Sequence, residues 1–444
     1  MHRRLTSSIA ALLSVTWTCA AHAGLSLQHA AARDAALTQG SSWSMLAPLM
    51  PAPGLSLAAG GARADTPPLI AEESAGQGGL RLQSGAFTRA GLRWQAGLAW
   101  RVRREPREPQ ERQLSLEGSA VTYELGDADA GQSEIYASVQ RRHWGPGWVG
   151  SLILDGAARA VPAVGWRRPV VQASGNPWLS WLGPWGADIF FGRLQGHSQP
   201  ARPYLIGLRA QLAPSERLEI GLTRTMQWGG RGRDERASSL YNALIGNDNV
   251  GFSGITVDNE PGNQLAGIDL RWLVDPVAQV SFYGQVIGED EAGHLPSRNM
   301  LLLGVDAKVP TATGSVRFFA EFADLLAGRI SDDPRPTAAY RHSVYRQGYT
   351  QEGLSLGHAV GGDARLASAG GLYRHGALQA MFVASAGRAE PTAQFLAPGR
   401  ILGLNASLQH QLDAHTHLGA GAAWWSDGAG RRHTLQVWWR SDAW

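Results

Sequence analysis

Carboxylates gather at Glu289-Asp290-Glu291, with Asp258 and Glu260 upstream. Two carboxyl groups flanking a glycosidic bond can cleave it by acid and base chemistry, and clustered acids bind calcium. The spacing supports neither use. The acidic run lacks the regular ligand interval of a calcium loop, and no pattern sets two carboxyls across a cleft. The histidines are scattered, and Cys19, the only cysteine, lies in a leader segment, so no transition-metal site is expected. No phosphate-binding loop or dinucleotide fingerprint occurs. The sequence reads as a binding protein rather than an enzyme, with no cofactor.

A second set of residues suits recognition. Trp144 and Trp148; Trp228, Arg231 and Arg233; Asn247, Asp248 and Asn249; Asp258, Asn259, Glu260 and Asn263; and Tyr340, His342, Tyr345 and Tyr349 all fall in polar stretches. Flat rings stack on the C–H face of a sugar, amides and carboxylates meet its hydroxyls, and Arg pairs with a sugar carboxylate. For any single residue an ordinary role competes. Gly-rich loops commonly fold into a wide barrel and pair Arg with Asp or Glu across its lumen, and Trp144 and Trp148 equally suit packing or an interfacial girdle.

These residues sit on connections between amphipathic segments. Leu218, Ile220 and Leu222 alternate with Glu219, Gly221 and Thr223, and Ala266, Ile268, Leu270 and Trp272 alternate with Gly267, Asp269 and Arg271. A period of two gives each segment one apolar and one polar face, as in a strand. The same alternation runs through 204–212, 279–286, 316–322 and 402–409. The links 213–217, 273–277, 308–313, 374–376 and 413–416 are short, whereas 227–263, 287–298, 324–363 and 387–400 are long for hairpins. Short turns at one end and long loops at the other mark an outer-membrane barrel whose long loops are extracellular.

Composition agrees. Arg3 and Arg4, an apolar run from Ile9 to Val15, and Ala21-His22-Ala23 read as a signal peptide over 1–23. No later stretch is apolar for the ~18 residues that a membrane helix needs. Barrel strands can still cross, because only every second side chain must be apolar. From 78 to 444, at about 20 residues per strand and connection, the chain supplies roughly 18 strands. The expected fold is all-β: a large antiparallel transmembrane β-barrel over 78–444, behind a short periplasmic segment, 24–77, with one helix from Leu27 to Leu37 and otherwise loop. Several of the 17 Trp lie near strand ends, where they suit aromatic girdles in contact with outer-membrane lipid. The formal charge of +3, lowered by two when the leader leaves, implies no nucleic acid or other polyanion partner.

The motifs carry a family resemblance. They are Trp144-Gly145-Pro146-Gly147 with Ser151-Leu152-Ile153; Leu179-Ser180-Trp181 before Gly183-Pro184-Trp185; and Met226-Gln227-Trp228-Gly229-Gly230. They continue through Asn247-Asp248-Asn249, Asp258 to Gly267, Ser281-Phe282-Tyr283-Gly284-Gln285 with Gly288-Glu289-Asp290-Glu291, and Gly361-Gly362-Asp363. Over residues 85–373 the sequence resembles the capsule assembly protein Wzi family. The resemblance implies a barrel of about 18 strands in the outer membrane of a Gram-negative bacterium. It further implies a lectin that holds capsular or extracellular polysaccharide at the cell surface. A helical bundle on the periplasmic side also belongs to the family's pattern, and here the chain departs from it, because 24–77 is short and poor in helix signals. The residues leave open a second reading, a porin or polysaccharide exit channel with a loop-gated lumen.

Overall fold

The computed structural model describes residues 27–38, 55–64, 77–84, 87–89, 91–103, 111–126, 133–173, 175–245, 262–292, 295–328 and 336–441. Antiparallel strands dominate. In chain order they are Leu55–Ala64; Gln77–Ser84 running on through Phe87–Arg89; Leu92–Gln95 running on through Gly97–Arg103; Glu111–Ser115 running on through Ala120–Leu125; and Ser133–Gln140. Then come Val161–Ala173, Pro184–Arg193, Tyr204–Ser215, Leu218–Trp228, Gly262–Asp275, Val280–Ala292, Leu295–Pro310 and Ser315–Gly328. The last are Ala364–His375, Leu378–Ala389, Gly399–Gln411, Thr416–Asp427 and Gly430–Ser441. Of the 21 segments in this sheet, three pairs are each one strand with a local interruption, because both halves keep to the same neighbouring strand. The sheet therefore has eighteen passes. Each pairs with the next, and Gly430–Ser441 pairs with Leu55–Ala64, Leu57 opposite Ser441. Among the described residues the ladder returns to its start and leaves no strand of this sheet with an unpaired edge.

The two faces of the sheet carry the reverse of a water-soluble pattern. Along Ser315–Gly328, Arg317, Phe319, Glu321 and Ala323 are buried, while Phe318, Ala320 and Phe322 are exposed. Along Gly262–Asp275, Asp269 and Arg271 are buried, and Ile268, Leu270 and Trp272 stand outside. Charge within and hydrocarbon without suits lipid around the barrel. No helix among the described residues is long and apolar enough to cross a membrane.

Two expectations change. The link 287–298 is not a long loop: Val280–Ala292 and Leu295–Pro310 stay in register as far as Ala292 opposite Leu295. Beyond the bilayer both faces of a hairpin are wet, so alternation fades from the sequence although the ladder continues. In addition, 24–77 is not all helix and loop. Leu55–Ala64, Ala- and Gly-rich, is a strand of the sheet, and small side chains give little contrast between faces. Residues 1–23, expected to be a signal peptide, lie outside the described residues.

The lumen is filled. The helix Leu27–Thr38 lies inside the ring, where Asp34 pairs with Arg317 at 2.6 Å, Arg374 at 3.2 Å and Lys308 at 3.4 Å. Its neighbour Arg33 reaches inward to the carbonyls of Pro146 and Gly147. Those carbonyls belong to the connection 141–160, which folds back into the barrel. Trp148 and Val149 donate their backbone N–H groups to Glu321, and the Trp148 ring stacks on Phe319, centroids 5.3 Å apart. Gln285 clamps the same segment, donating to the Trp144 carbonyl at 2.9 Å and accepting from Leu152 N–H at 2.7 Å. Among the described residues one helix stands where a bundle was implied.

Candidate ligand-binding surface at the long-loop end

Strand parity puts the connections 141–160, 194–203, 229–261, 329–363 and 390–398 at one end of the barrel. Above the filled lumen, three of them are laced into a lid by backbone bonds. Arg231 N–H donates to Ala201 O at 2.9 Å, Arg346 N–H to Gln199 O at 3.1 Å, and Glu352 N–H to Gln195 O at 3.0 Å. Side chains repeat the lacing. Gln195 N–H donates to Gln351 Oε1 at 2.8 Å, and Gln347 donates to Ser198 Oγ at 2.6 Å. Backbone groups satisfied by one another in this way give loops the order of a sheet.

The lid is fixed to the plug and the wall through buried aromatics. The Tyr340 and Tyr349 rings stack with centroids 6.0 Å apart. Tyr340 OH donates to Leu152 O at 2.7 Å, and Tyr349 OH to Thr225 Oγ1 at 2.8 Å. The motif Gly361-Gly362-Asp363 packs closely at the base of this arrangement. A Cβ at Gly362 would lie 2.5 Å from Ala339 O, and Asp363 accepts from Thr337 N–H at 3.0 Å while donating its own N–H to Leu325 O. His358, buried against Gly150, has its imidazole pKa lowered to about 4 by burial, so it stays neutral.

The sequence candidates separate into groups. Trp144, Trp148, Tyr345 and Tyr349 are at most 1% exposed; they pack the plug and the underside of the lid and offer no open ring face. Trp228 is also buried, but on the outer wall. Leu222, of the same parity on its strand, is exposed on the outer face, and Trp228 packs with Tyr204 at 5.5 Å beneath the helix Ala237–Leu244, donating to Ser239 Oγ. It belongs to an aromatic belt with Phe191 and Tyr204. Arg231 is exposed on the lid and Arg233 half-buried beside it. Asp248, Asn249, Asp258, Asn259 and Glu260, with Asn247, lie outside the described residues. Two exposed lid residues were not foreseen, Arg202 and Arg346. Pro200 and Pro203 around Arg202 are the only sequence signal that a built turn stands there.

An eighteen-pass antiparallel ladder with a polar, filled interior, an apolar exterior and a knitted lid defines a plugged outer-membrane-type β-barrel. The chain belongs to the capsule assembly protein Wzi family, whose sequence profile matches residues 77–426. An uncharacterized 55.8 kDa protein in the cps region of Klebsiella pneumoniae is 40% identical over 183 residues, which is 41% of this chain and 35% of that protein. The match therefore spans about a third of that relative's length. Among solved structures, Wzi of Escherichia coli, an outer-membrane protein involved in group 1 capsule assembly and a carbohydrate-binding β-barrel, superposes with a TM-score of 0.72 at 23% identity. The superposition covers 88% of this chain and 84% of that one. At that identity the likeness establishes the fold.

Proposed function

We propose that this protein is an outer-membrane lectin that binds capsular or extracellular polysaccharide on its extracellular lid and anchors it to the cell. The observation that carries this reading is the lid itself. Its loops are held by backbone bonds into a fixed surface that exposes Arg and amide groups, above a lumen filled by the helix Leu27–Thr38 and the connection 141–160. A channel needs a water path past those segments, whereas a surface anchor needs only the lid. Family membership and the relative in a cps region support capsule as the polymer.

Binding takes place without turnover, and lipid contacts the barrel's apolar wall. Purified barrel should retain polysaccharide from the source strain in a pull-down, and cells lacking the protein should shed it into the medium. Equal retention by cells with and without the protein, with no binding in the pull-down, would overturn the reading.

A further inference from the structure

Three arginines share the open face of the lid, and among the described residues no ion pair joins any of them to a carboxylate, although Glu235, whose Oε1 accepts from Gly230 N–H at 3.0 Å, lies on the same loop as Arg231. The Ala201–Arg231 bridge and the bond from Arg346 N–H to Gln199 O hold Arg202, Arg231 and Arg346 on three adjoining loops. All three are exposed. Among the described residues none of their side chains has an ion-pair or hydrogen-bond partner. Inside the barrel and on the loop that carries Arg231, arginines are paired: Arg209 with Asp269 at 2.8 Å, Arg271 with Asp306 at 2.7 Å, Arg236 with Asp234 at 2.7 Å. Like charges gathered on one surface repel, and an arriving anion relieves that repulsion.

The backbone adds a second sign. Arg202 has φ 54°, in the left-handed region where a residue with a Cβ is strained and glycine is favoured. Retaining a long cationic side chain there points to a use for the side chain rather than for the turn. Around the trio stand Ser198, Gln199 and Gln347, donors and acceptors of the kind that sugar hydroxyls require.

We infer that Arg202, Arg231 and Arg346 form a subsite for a carboxylate-bearing sugar unit, so that the polysaccharide held by this lid is acidic. The planar guanidinium fork matches a carboxylate in two parallel hydrogen bonds, which an ammonium cannot do. The near-neutral whole chain does not disclose the site, because the charge is local. The inference rests on the polysaccharide-binding reading above.

The test uses purified full-length barrel and three probes: polysaccharide from the source strain, the same polymer after chemical reduction of its carboxyls to alcohols, and dextran. The native polymer should bind and dextran should not. Carboxyl reduction should weaken binding about tenfold or more, and so should the triple substitution Arg202→Gln, Arg231→Gln, Arg346→Gln. Added salt should weaken the native interaction and spare the reduced one. The lid's backbone bonds do not involve these side chains, and heat-modifiable gel mobility verifies that the variant is folded. Native and reduced polymer binding equally, or the triple variant binding the native polymer as wild type does, would overturn the acidic-sugar subsite and leave the lectin reading intact. Failure of both polymers to bind wild type would overturn the two together.

Discussion

Asp34 and Arg317 stand 2.6 Å apart although 283 residues separate them in the chain, and their ion pair fastens the helix Leu27–Thr38 to the inside of the barrel wall. Both side chains are almost fully buried. Arg317 also holds Asp306 at 2.8 Å, and Asp306 holds Arg271, so the latch is one end of a charged chain that runs along the inner wall from Ser315–Gly328 to Gly262–Asp275.

Asp34→Ala should undo this latch. Breaking a buried pair costs about 3–5 kcal/mol, and the lower end applies here because Arg317 keeps Asp306. Planar-bilayer recordings should show a quiet wild type and step-like openings in the variant. A wild type that conducts as well as the variant would mean that the helix does not block the lumen.

Acidification should loosen the interior in two stages. His358 refuses a proton until about pH 4, while in the unfolded chain it takes one up near its ordinary value of 6.5. Stability is therefore full above 6.5 and is lost as pH falls toward 4, by up to about 3 kcal/mol. At Asp34 burial works to raise the pKa, but the hydrogen bond and charge of Arg317, with Lys308 and Arg374, outweigh it and hold the carboxyl below the ordinary 3.8. Its contribution is present above 3.8 and disappears at lower pH. Asp155, raised by burial, has the opposite sign, its contribution being lost as pH rises. Melting temperature in detergent should fall between pH 6.5 and 4, and His358→Phe should flatten that slope. An unchanged slope in the variant would remove His358 from the account.

Leu270, 45% exposed on the outer face of Gly262–Asp275, tests the membrane surround. Leu270→Arg should cost about 2–4 kcal/mol in a folding titration into bilayers if the side chain lies near the midplane. Equal stability of variant and wild type would place this face in water.

Trp148 separates plug from ligand site. It stacks on Phe319, lies 4.8 Å from the Arg33 guanidinium carbon and donates to Asp306. Trp148→Ala should cost about 3–5 kcal/mol through lost packing and raise conductance, while polysaccharide binding per folded barrel stays unchanged. Lost binding with a quiet lumen would make the ring a ligand contact.

The sequence disclosed the barrel because alternation survives wherever one face meets lipid. Ile268, Leu270 and Trp272 against Asp269 and Arg271 are as legible in the chain as in the sheet. It did not disclose Leu55–Ala64, whose small residues lack contrast, or the hairpin continuing past Gly288, where both faces are wet. The site was legible only in kind. Aromatic and cationic residues stand out in the connections, but a Trp that stacks on sugar and one that packs under a lid have the same neighbours in sequence. Burial, which separates Trp144 from Arg231, depends on partners such as Gln285 that lie more than a hundred residues away.

The pairing of Leu57 with Ser441 has a kinetic meaning. The two strands of that seam are almost the whole chain apart, so theirs is the most remote strand pairing among the described residues and the slowest to find by diffusion. Until it forms, the growing sheet carries two bare margins that invite pairing with any other chain. The helix that latches to Arg317 lies upstream of the first of these strands, and once the seam is zipped it can reach the interior only through a mouth of the barrel. Docking it early would give the inward faces of the strands something to wrap around, which makes the plug a template for assembly as well as a stopper.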